Sequence, residues 1–224
     1  MNPSVRPSLF ASVLLCGGAL FANPAQADIT YLSRSSSLVV KQCDSGANCV
    51  VVAEAGTNSL EDYSQSIGRD FIGDASQDSV LAPNQITAHL EAGVDGNLNY
   101  ARSTMTVQFV LDAPMNFSVL GGARYDWEGG AAYAHLTGPD GAVSLIDGFD
   151  VAGRTNIDFY RMSGLLSAGE YTLDLLALGS SSSRGDSFGS QSFTLSLTPV
   201  PLPAAAISLL FGLGGFGTLL RKRP

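Results

Sequence analysis

Two histidines are the side chains best suited to acid–base chemistry in this sequence. His89 lies in "TAHLEA" and His135 in "AYAHLT", both within patterns typical of β-strands. His89 and Glu91 are two residues apart, so on a strand they share a face and could meet as a base and the group that orients it. Neither a Gly-x-Ser-x-Gly nucleophile motif nor a metal-binding pair of histidines accompanies them. We therefore interpret both histidines as structural or surface residues, assign no catalytic residue, and predict that the chain is not an enzyme.

Acidic clusters suggest a second chemistry, the binding of calcium. Ca²⁺ takes roughly six to eight oxygen ligands, and flexible carboxylates supply them. No cluster has the spacing of a known calcium-binding loop, so solubility is the simpler interpretation and calcium stays an alternative. No other cofactor is predicted. The clusters are Asp70, Asp74 and Asp78, on a predicted loop; Glu91, Asp95 and Asn97; and Asp147 and Asp150.

Three aromatic residues lie close together in "RYDWEGGAAY", namely Tyr125, Trp127 and Tyr133. Sugar rings stack on exposed aromatic side chains, and the sole Trp of the chain lies beside charged residues and two glycines. The alternative is that Trp127 packs in the hydrophobic core. These three residues form the candidate sugar-stacking site, with exopolysaccharide as the candidate ligand.

Cys43 and Cys49 flank a polar, Gly-containing segment in "KQCDSGANCVVV". If that segment is a hairpin turn, the two thiols reach disulfide geometry, and an oxidising compartment closes the bond. Metal binding by the pair would need further ligands, and neither another Cys nor a His lies nearby. The spacing therefore predicts a disulfide.

The elements that position these residues are predicted to be strands, because apolar and polar residues alternate along the middle of the chain. The clearest apolar positions are Met105, Val107, Phe109 and Leu111; Tyr171, Leu173 and Leu175; and Phe193, Leu195 and Leu197. Further strands are predicted at residues 38–42, 50–54, 85–91 and 116–120, and a hairpin at 131–137 and 143–146 around the turn "GPDG". About nine or ten short strands without a capped helix predict an all-β fold, an antiparallel β-sandwich of jelly-roll type.

Two stretches without regular apolar spacing are predicted to be connections. Residues 56–83 contain few apolar residues at any period and predict a long surface connection or lid. Residues 180–192, "SSSSRGDSFGSQS", predict a Ser- and Gly-rich loop before the last strand. Which strands pair with one another cannot be read from these patterns.

The predicted domain, residues 28–198, is acidic. It carries eight of the 12 Lys and Arg and all 20 Asp and Glu, for a formal charge of −12. That charge repels phosphate backbones, so nucleic acid is excluded as a partner class. A segment of this length is sufficient for one domain with a sizeable core.

The first 27 residues have the pattern of a secretory signal peptide. Arg6 precedes the apolar residues 9–21, and "AQA" at 25–27 is a small-x-small cleavage site. The apolar run is too short to span a bilayer core. Lipoprotein processing at Cys16 is the alternative, but the residue before it is Leu rather than the Gly or Ala of a lipobox. We predict cleavage by signal peptidase before Asp28 and export through the inner membrane.

The chain ends in a proline motif, an apolar segment and a basic tail. Pro199, Pro201 and Pro203 remove backbone donors, so this segment is predicted to be extended, outside the preceding central strand and accessible to a protease. Residues 204–220 carry no charge and are just long enough to cross a thin bilayer as one helix, although a buried C-terminal helix of the fold is the alternative. The basic stop-transfer residues, which predict a cytoplasmic C-terminus, are Arg221, Lys222 and Arg223.

This C-terminus resembles the PEP-CTERM sorting signal of Gram-negative bacteria, in its VPLPA-type variant. The resemblance covers the last 26 residues, with Leu202 where the family's name has Glu. It implies that an exosortase, a membrane-embedded cysteine transpeptidase, cuts at or near the motif, after which the protein is released or attached to surface material. Proteins of this kind are associated with exopolysaccharide and biofilm matrix. The motif residues are Val200, Pro201, Leu202, Pro203 and Ala204.

The sequence therefore predicts three segments: a signal peptide at 1–27, a secreted β-domain at 28–198 and a sorting signal at 199–224. The transient anchor is the C-terminal helix, and the destination is the cell surface or the extracellular matrix. A structural or adhesive role is the leading interpretation. The alternative is a carbohydrate-binding domain or a glycan-active enzyme, whose paired carboxylates cannot be found from sequence alone.

Overall fold

The computed structural model describes residues 28–44, 48–96, 98–125, 129–147, 156–181 and 185–201. In these residues the regular structure is β, and none of their segments forms an apolar helix of membrane-spanning length. The predicted signal peptide, residues 1–27, and the predicted membrane helix and basic tail, residues 204–224, lie outside the described residues.

Twelve strands occupy the described part of the chain. The first six are β1 (Ile29–Cys43), β2 (Cys49–Thr57), β3 (Tyr63–Arg69), β4 (Gly73–Ala82), β5 (Gln85–Val94) and β6 (Asn99–Leu111). The other six are β7 (Met115–Tyr125), β8 (Ala131–Gly138), β9 (Gly141–Asp147), β10 (Asn156–Leu166), β11 (Gly169–Ser180) and β12 (Ser187–Pro199).

The strands form two six-stranded antiparallel sheets that pack face to face. Sheet 1 has the order β2-β1-β6-β11-β8-β9, and sheet 2 has the order β10-β7-β12-β5-β4-β3. One cluster of buried apolar side chains fills the space between the inner faces of both sheets. These observations confirm the predicted all-β class and the two-sheet antiparallel architecture.

The predicted alternation of faces is confirmed on the central strands. In β6, Phe109 is fully buried, and so are the other apolar positions predicted for that strand. In β12, Phe193 and Leu195 point into the same core while Thr194 between them lies on the other face. Because side chains alternate across a strand, the sequence pattern alone identified the core side of both strands.

The predicted hairpin around GPDG and the predicted disulfide are confirmed. The strands β8 and β9 pair antiparallel up to Gly138 and Gly141, so Pro139 and Asp140 form the turn. Gly141 has a φ of 103°, in the left-handed region that favours glycine. The hairpin of β1 and β2 pairs Cys43 with Cys49, and the two residues form the predicted disulfide.

The prediction of a long connection at residues 56–83 is wrong. Strands β3 and β4 lie there, and β4 pairs with β5 along its whole length. The inward-facing side chains of β4 include Ala75, Gln77 and Ser79, all of them buried. Because these residues are small or polar, the alternation of β4 carries no hydrophobic signal, and its strand character is not visible in the sequence.

The prediction of a loop at residues 180–192 is also wrong over its second half, because β12 begins at Ser187. Ser187, Gly189 and Gln191 are the inward-facing residues there, and again none is a large apolar side chain. Strand β10 was not predicted at all. Its Leu165 is largely exposed whereas the neighbouring Leu166 is buried, so apolar residues lie on both faces and the period-two signal is lost.

A buried arginine lies where β1 meets the β2–β3 connection. Arg34 is only 1% exposed, and its Nε donates a hydrogen bond to Ser36 Oγ at 3.2 Å. Its Nη1 donates to the carbonyl oxygen of Glu61 at 2.5 Å, and its guanidinium lies 5.3 Å from the ring centroid of Tyr63. Burial lowers the pKa of Arg34, and the negative charge of Asp62 partly opposes that shift. The contacts with Glu61 and Tyr63 hold the β2–β3 connection, which joins sheet 1 to sheet 2, against β1.

We expect the stability of the fold to decrease between pH 10 and pH 12 through Tyr31. Its hydroxyl proton is donated to Ala82 O at 2.6 Å, with Gln85 O at 3.3 Å as a second, longer acceptor, and burial raises its pKa from 10.0 to about 12. Below pH 10 the phenol is protonated in both the folded and the unfolded chain, so its contribution to stability is complete. Above pH 10 the unfolded chain loses this proton first, and the contribution is lost as the pH rises through 12. Melting temperatures measured across this range should fall less steeply for Tyr31→Phe than for the wild type, and parallel curves would contradict the assignment.

Candidate functional site

The candidate site is a shallow groove on the outer, solvent-facing side of sheet 2. Three neighbouring strands, β5, β12 and β7, present their outward residues there in three rows set by the strand register. The rows are Glu91, Ser190 and Arg124; His89, Ser192 and Gly122; and Thr87, Thr194 and Leu120.

A chain of hydrogen bonds runs through the first two rows. His89 Nε2 lies 3.1 Å from Glu91 Oε1, and His89 Nδ1 lies 3.1 Å from Ser192 Oγ. An ionised carboxylate only accepts hydrogen bonds, so Nε2 carries a proton, and in the neutral ring Nδ1 then accepts the proton of the Ser192 hydroxyl. His89 and Glu91, whose spacing allows them to meet on one strand face, are in contact in the structure. The partner on the other side, Ser192, was not identified from the sequence.

The second row includes a residue without a side chain, Gly122, which lines the groove. Gly122 lies between Leu120 and Arg124 along β7, and the space above it forms a groove of about 610 Å³. Leu120 is 58% exposed and forms the apolar wall. Arg124 forms the opposite wall, with its guanidinium 5.7 Å from the ring centroid of Phe188.

A second depression, of about 480 Å³, lies on the outer face of sheet 1 over β1 and β2. Among the described residues that line it, Glu54 is the one charged residue; Ser37, Gly56 and Asn58 are among the others. The groove on sheet 2 combines a carboxylate, an imidazole, a guanidinium and hydroxyls, so it offers the richer set of donors and acceptors.

No protein-family model and no curated protein matches this chain. A solved structure described as "Structure of infectious bursal disease virus Gx strain" is similar over 80% of this chain, with 12% sequence identity and a TM-score of 0.28. The chain covers 58% of the length of that viral chain. A likeness of this size supports no statement about function.

The order Ser192, His89, Glu91 is that of a nucleophile, a base and an orienting carboxylate. Acyl transfer also needs preorganised donors, often backbone N–H groups, aimed at the developing oxyanion. Ser192 lies in the middle of β12, which is paired with β5 on one side and β7 on the other. The backbone around it is thereby committed to the sheet, so the arrangement fits the binding of hydroxyl groups better than acyl transfer.

The predicted aromatic site is not brought together on one surface. Tyr125 lies on sheet 2 and is 5% exposed, with its side chain toward the core. Tyr133 lies on sheet 1, half-buried, with its ring stacked on His135 at 4.8 Å between centroids. Trp127 lies outside the described residues. Tyr125 is therefore unavailable for stacking on a sugar ring.

The first predicted calcium cluster is spread over a turn and a strand instead of a loop. Asp70 is in the turn after β3, whereas Asp74 and Asp78 are on the exposed face of β4. Asp74 and Asp78 are four positions apart on the strand, about 13 Å, which is too far to share one ion. Burial, then the charges of Glu91 and Asp95, raises the pKa of Asp74.

Across the described ranges, no three metal-ligating side chains form a group that could hold a metal ion. The remaining residues of the predicted clusters fall partly outside what is described. Asn97 and Asp150 lie outside the described residues, and for Asp147 only the backbone is described.

The first two residues of the predicted sorting motif follow directly after the last strand. Val200 is 41% exposed and Pro201 is exposed, whereas Leu202, Pro203 and Ala204 lie outside the described residues. Pro199 was predicted to lie outside the central strand, but it is the last residue of β12 and pairs with Met115. A proline is tolerated there because the strand ends at that residue and the ladder is not continued beyond it.

Proposed function

We propose that this chain is an exported protein that an exosortase sorts to the cell surface or the extracellular matrix. The observation that carries the proposal is the position of the first two residues of the proline motif. Strand β12 ends at Pro199, and Val200 and Pro201 follow it as exposed residues that belong to none of the described strands. A protease binds extended and unpaired segments, so this position gives the enzyme access without unfolding the sheets.

Two further observations support export. The disulfide between Cys43 and Cys49 is typical of oxidising compartments outside the cytoplasm. Strand β1 begins at Ile29, one residue after the predicted signal peptidase site, so cleavage before Asp28 leaves the first strand whole. The same proposal includes a signal peptide at 1–27, a transient helical anchor at 204–220 and a jelly-roll arrangement of the strands in the sandwich.

The role proposed for the exported domain is structural or adhesive, without catalysis. Its formal charge of −12 favours solubility outside the cell and disfavours polyanions as partners. The alternative, a domain that binds or cleaves carbohydrate, is favoured by the polar groove on sheet 2, whose lining includes a carboxylate and an imidazole.

Processing at the motif predicts a shortened chain outside the cell. In wild-type cultures, mass spectrometry of extracellular material should find the chain ending at or near Val200–Ala204. The double variant Pro201→Ala, Pro203→Ala should accumulate as the full-length chain in the membrane fraction, because the motif read by the enzyme is lost. Pro83→Ala, at an exposed turn between β4 and β5, is the matched control and should be processed normally. Extracellular chain intact to Pro224 would refute the proposal.

A further inference from the structure

We propose that the groove on sheet 2 binds a segment of uncharged polysaccharide. The inference rests on the proposed export to a polysaccharide-containing surface or matrix, and it names the ligand and the residues that contact it. Its central residues are Glu91, His89, Ser192, Gly122 and Arg124, contributed by three strands that are far apart in sequence.

The hydrogen-bonding groups of the groove match those of sugar hydroxyls. A hydroxyl both donates and accepts, and the groove offers a carboxylate acceptor in Glu91, a donor in Arg124 and further hydroxyls from Ser190, Ser192 and Thr194. Two strand-to-strand steps separate Glu91 from Arg124, about 10 Å between their backbones. A sugar unit above Ser190 and Gly122 therefore meets an acceptor on one side and a donor on the other.

The walls of the groove provide apolar contact as well. Leu120 lines the groove and is 58% exposed, and Phe188, 37% exposed, lies on the same outer face beside Arg124. Sugar rings present C–H groups on their faces, which pack against aliphatic and aromatic side chains. The combination of a few convergent polar groups with apolar walls is typical of small-ligand and glycan sites.

The charges of the molecule favour an uncharged ligand. The body carries −12, so a polyanionic chain is repelled before it reaches the groove. Within the groove, Glu91 and Arg124 face each other across Ser190 with opposite charge. Asp78, directly across from His89 on β4, adds a further negative group at the rim. A neutral polymer has hydroxyls for both charged residues and meets no repulsion.

The middle of the groove depends on Gly122. Any side chain at this outward position of β7 would occupy the space between Leu120 and Arg124. Gly122→Val is therefore expected to abolish binding. Valine suits a strand, so this variant should remain folded. If Gly122→Val does unfold, Glu91→Gln and Arg124→Ala, which alter only exposed polar groups, test the same groove.

The experiment uses the protein harvested from the culture medium and the matrix polysaccharide of the same cells, separated by anion exchange into uncharged and acidic fractions. Affinity electrophoresis should show retention by the uncharged fraction, and Glu91→Gln and Arg124→Ala should each weaken it about tenfold through loss of a charge-assisted hydrogen bond. The matched controls are Glu54→Gln and Arg102→Ala, on exposed positions of sheet 1, and both should bind as the wild type does.

The outcomes separate this inference from the proposed sorting. Three outcomes would overturn the groove as the binding site. They are retention by the acidic fraction alone, no retention by either fraction, and an equal loss of retention in the sheet 1 control variants. New reducing ends in the uncharged fraction would support the groove as a polysaccharide site and contradict the proposed role without catalysis. Mass spectrometry of the same harvested chains reports processing independently, since none of these substitutions lies near Val200–Ala204.

Discussion

Replacing Gly189 by alanine should lower the free energy of unfolding by about 3 kcal/mol. Gly189 is an inward-facing residue of β12, at a point where the two sheets approach each other closely. A Cβ atom at this position would lie 2.5 Å from Leu178 O and closer still to Ala131 O, both in the opposite sheet. These are backbone atoms, which cannot rotate away as a side chain would, so the sheets themselves must separate.

The close approach of the two sheets is also evident at a glycine of sheet 1. A Cβ on Gly179 of β11 would lie 2.8 Å from Ser187 O and 2.9 Å from Ala92 O. Gly189→Ala can be compared with Gly93→Ala on β5, where the nearest atom, Asp74 Oδ1, would be 3.4 Å from the new methyl group. Chemical denaturation should find Gly93→Ala within about 1 kcal/mol of the wild type. Equal stabilities for the two variants would show that the sheets do not pack this closely.

Replacing Phe109 by alanine should cost about 3–5 kcal/mol of unfolding free energy. Phe109 is fully buried in β6, a central strand of sheet 1. Its ring stacks on Tyr171 with 5.6 Å between centroids, and Tyr31 meets it edge-on at 6.4 Å. Alanine therefore leaves a cavity between two aromatic rings that neighbouring strands hold in place, so the site cannot collapse to fill it.

The matched control is Phe188→Ala, because Phe188 lies on the outer face of sheet 2 and remains 37% exposed. Its truncation removes surface contact without opening a cavity, so a loss of less than about 1 kcal/mol is expected. Urea denaturation of both variants should show different midpoints with similar slopes, since each still unfolds the same sandwich. A loss at Phe188 as large as that at Phe109 would contradict the assignment of inner and outer faces.

Both predictions bear on the groove, because its geometry depends on the sheet beneath it. Glu91, Ser192 and Arg124 are held at their spacing only while β5, β12 and β7 stay paired. The core residues Phe193 and Val119 lie under the groove on the inner face of the same strands. A site built on a packed sheet keeps its spacing without a ligand. Binding therefore costs less conformational entropy than it would at a site that is ordered only by the ligand.

Local patterns in the sequence determined a large part of this protein. The period-two spacing of β6 and β12 identified their buried faces, since alternation is a property of a single strand. The GPDG turn and the pair Cys43 and Cys49 were also predictable, because each involves residues close together in the chain. The contact of His89 with Glu91 belongs to the same class, since two residues on one strand face need no other element to meet.

Only the tertiary structure decided what lies beside each strand. A hydrophobic pattern shows which face of a strand is buried but not which strand is its neighbour, so the meeting of His89 with Ser192, 103 residues away, could not be predicted. The missed strand β4 and the early start of β12 have a related cause. Their inward residues are small or polar where the two sheets approach closely. Close packing requires such residues, and without large apolar side chains the sequence does not show the alternation by which a strand is recognised.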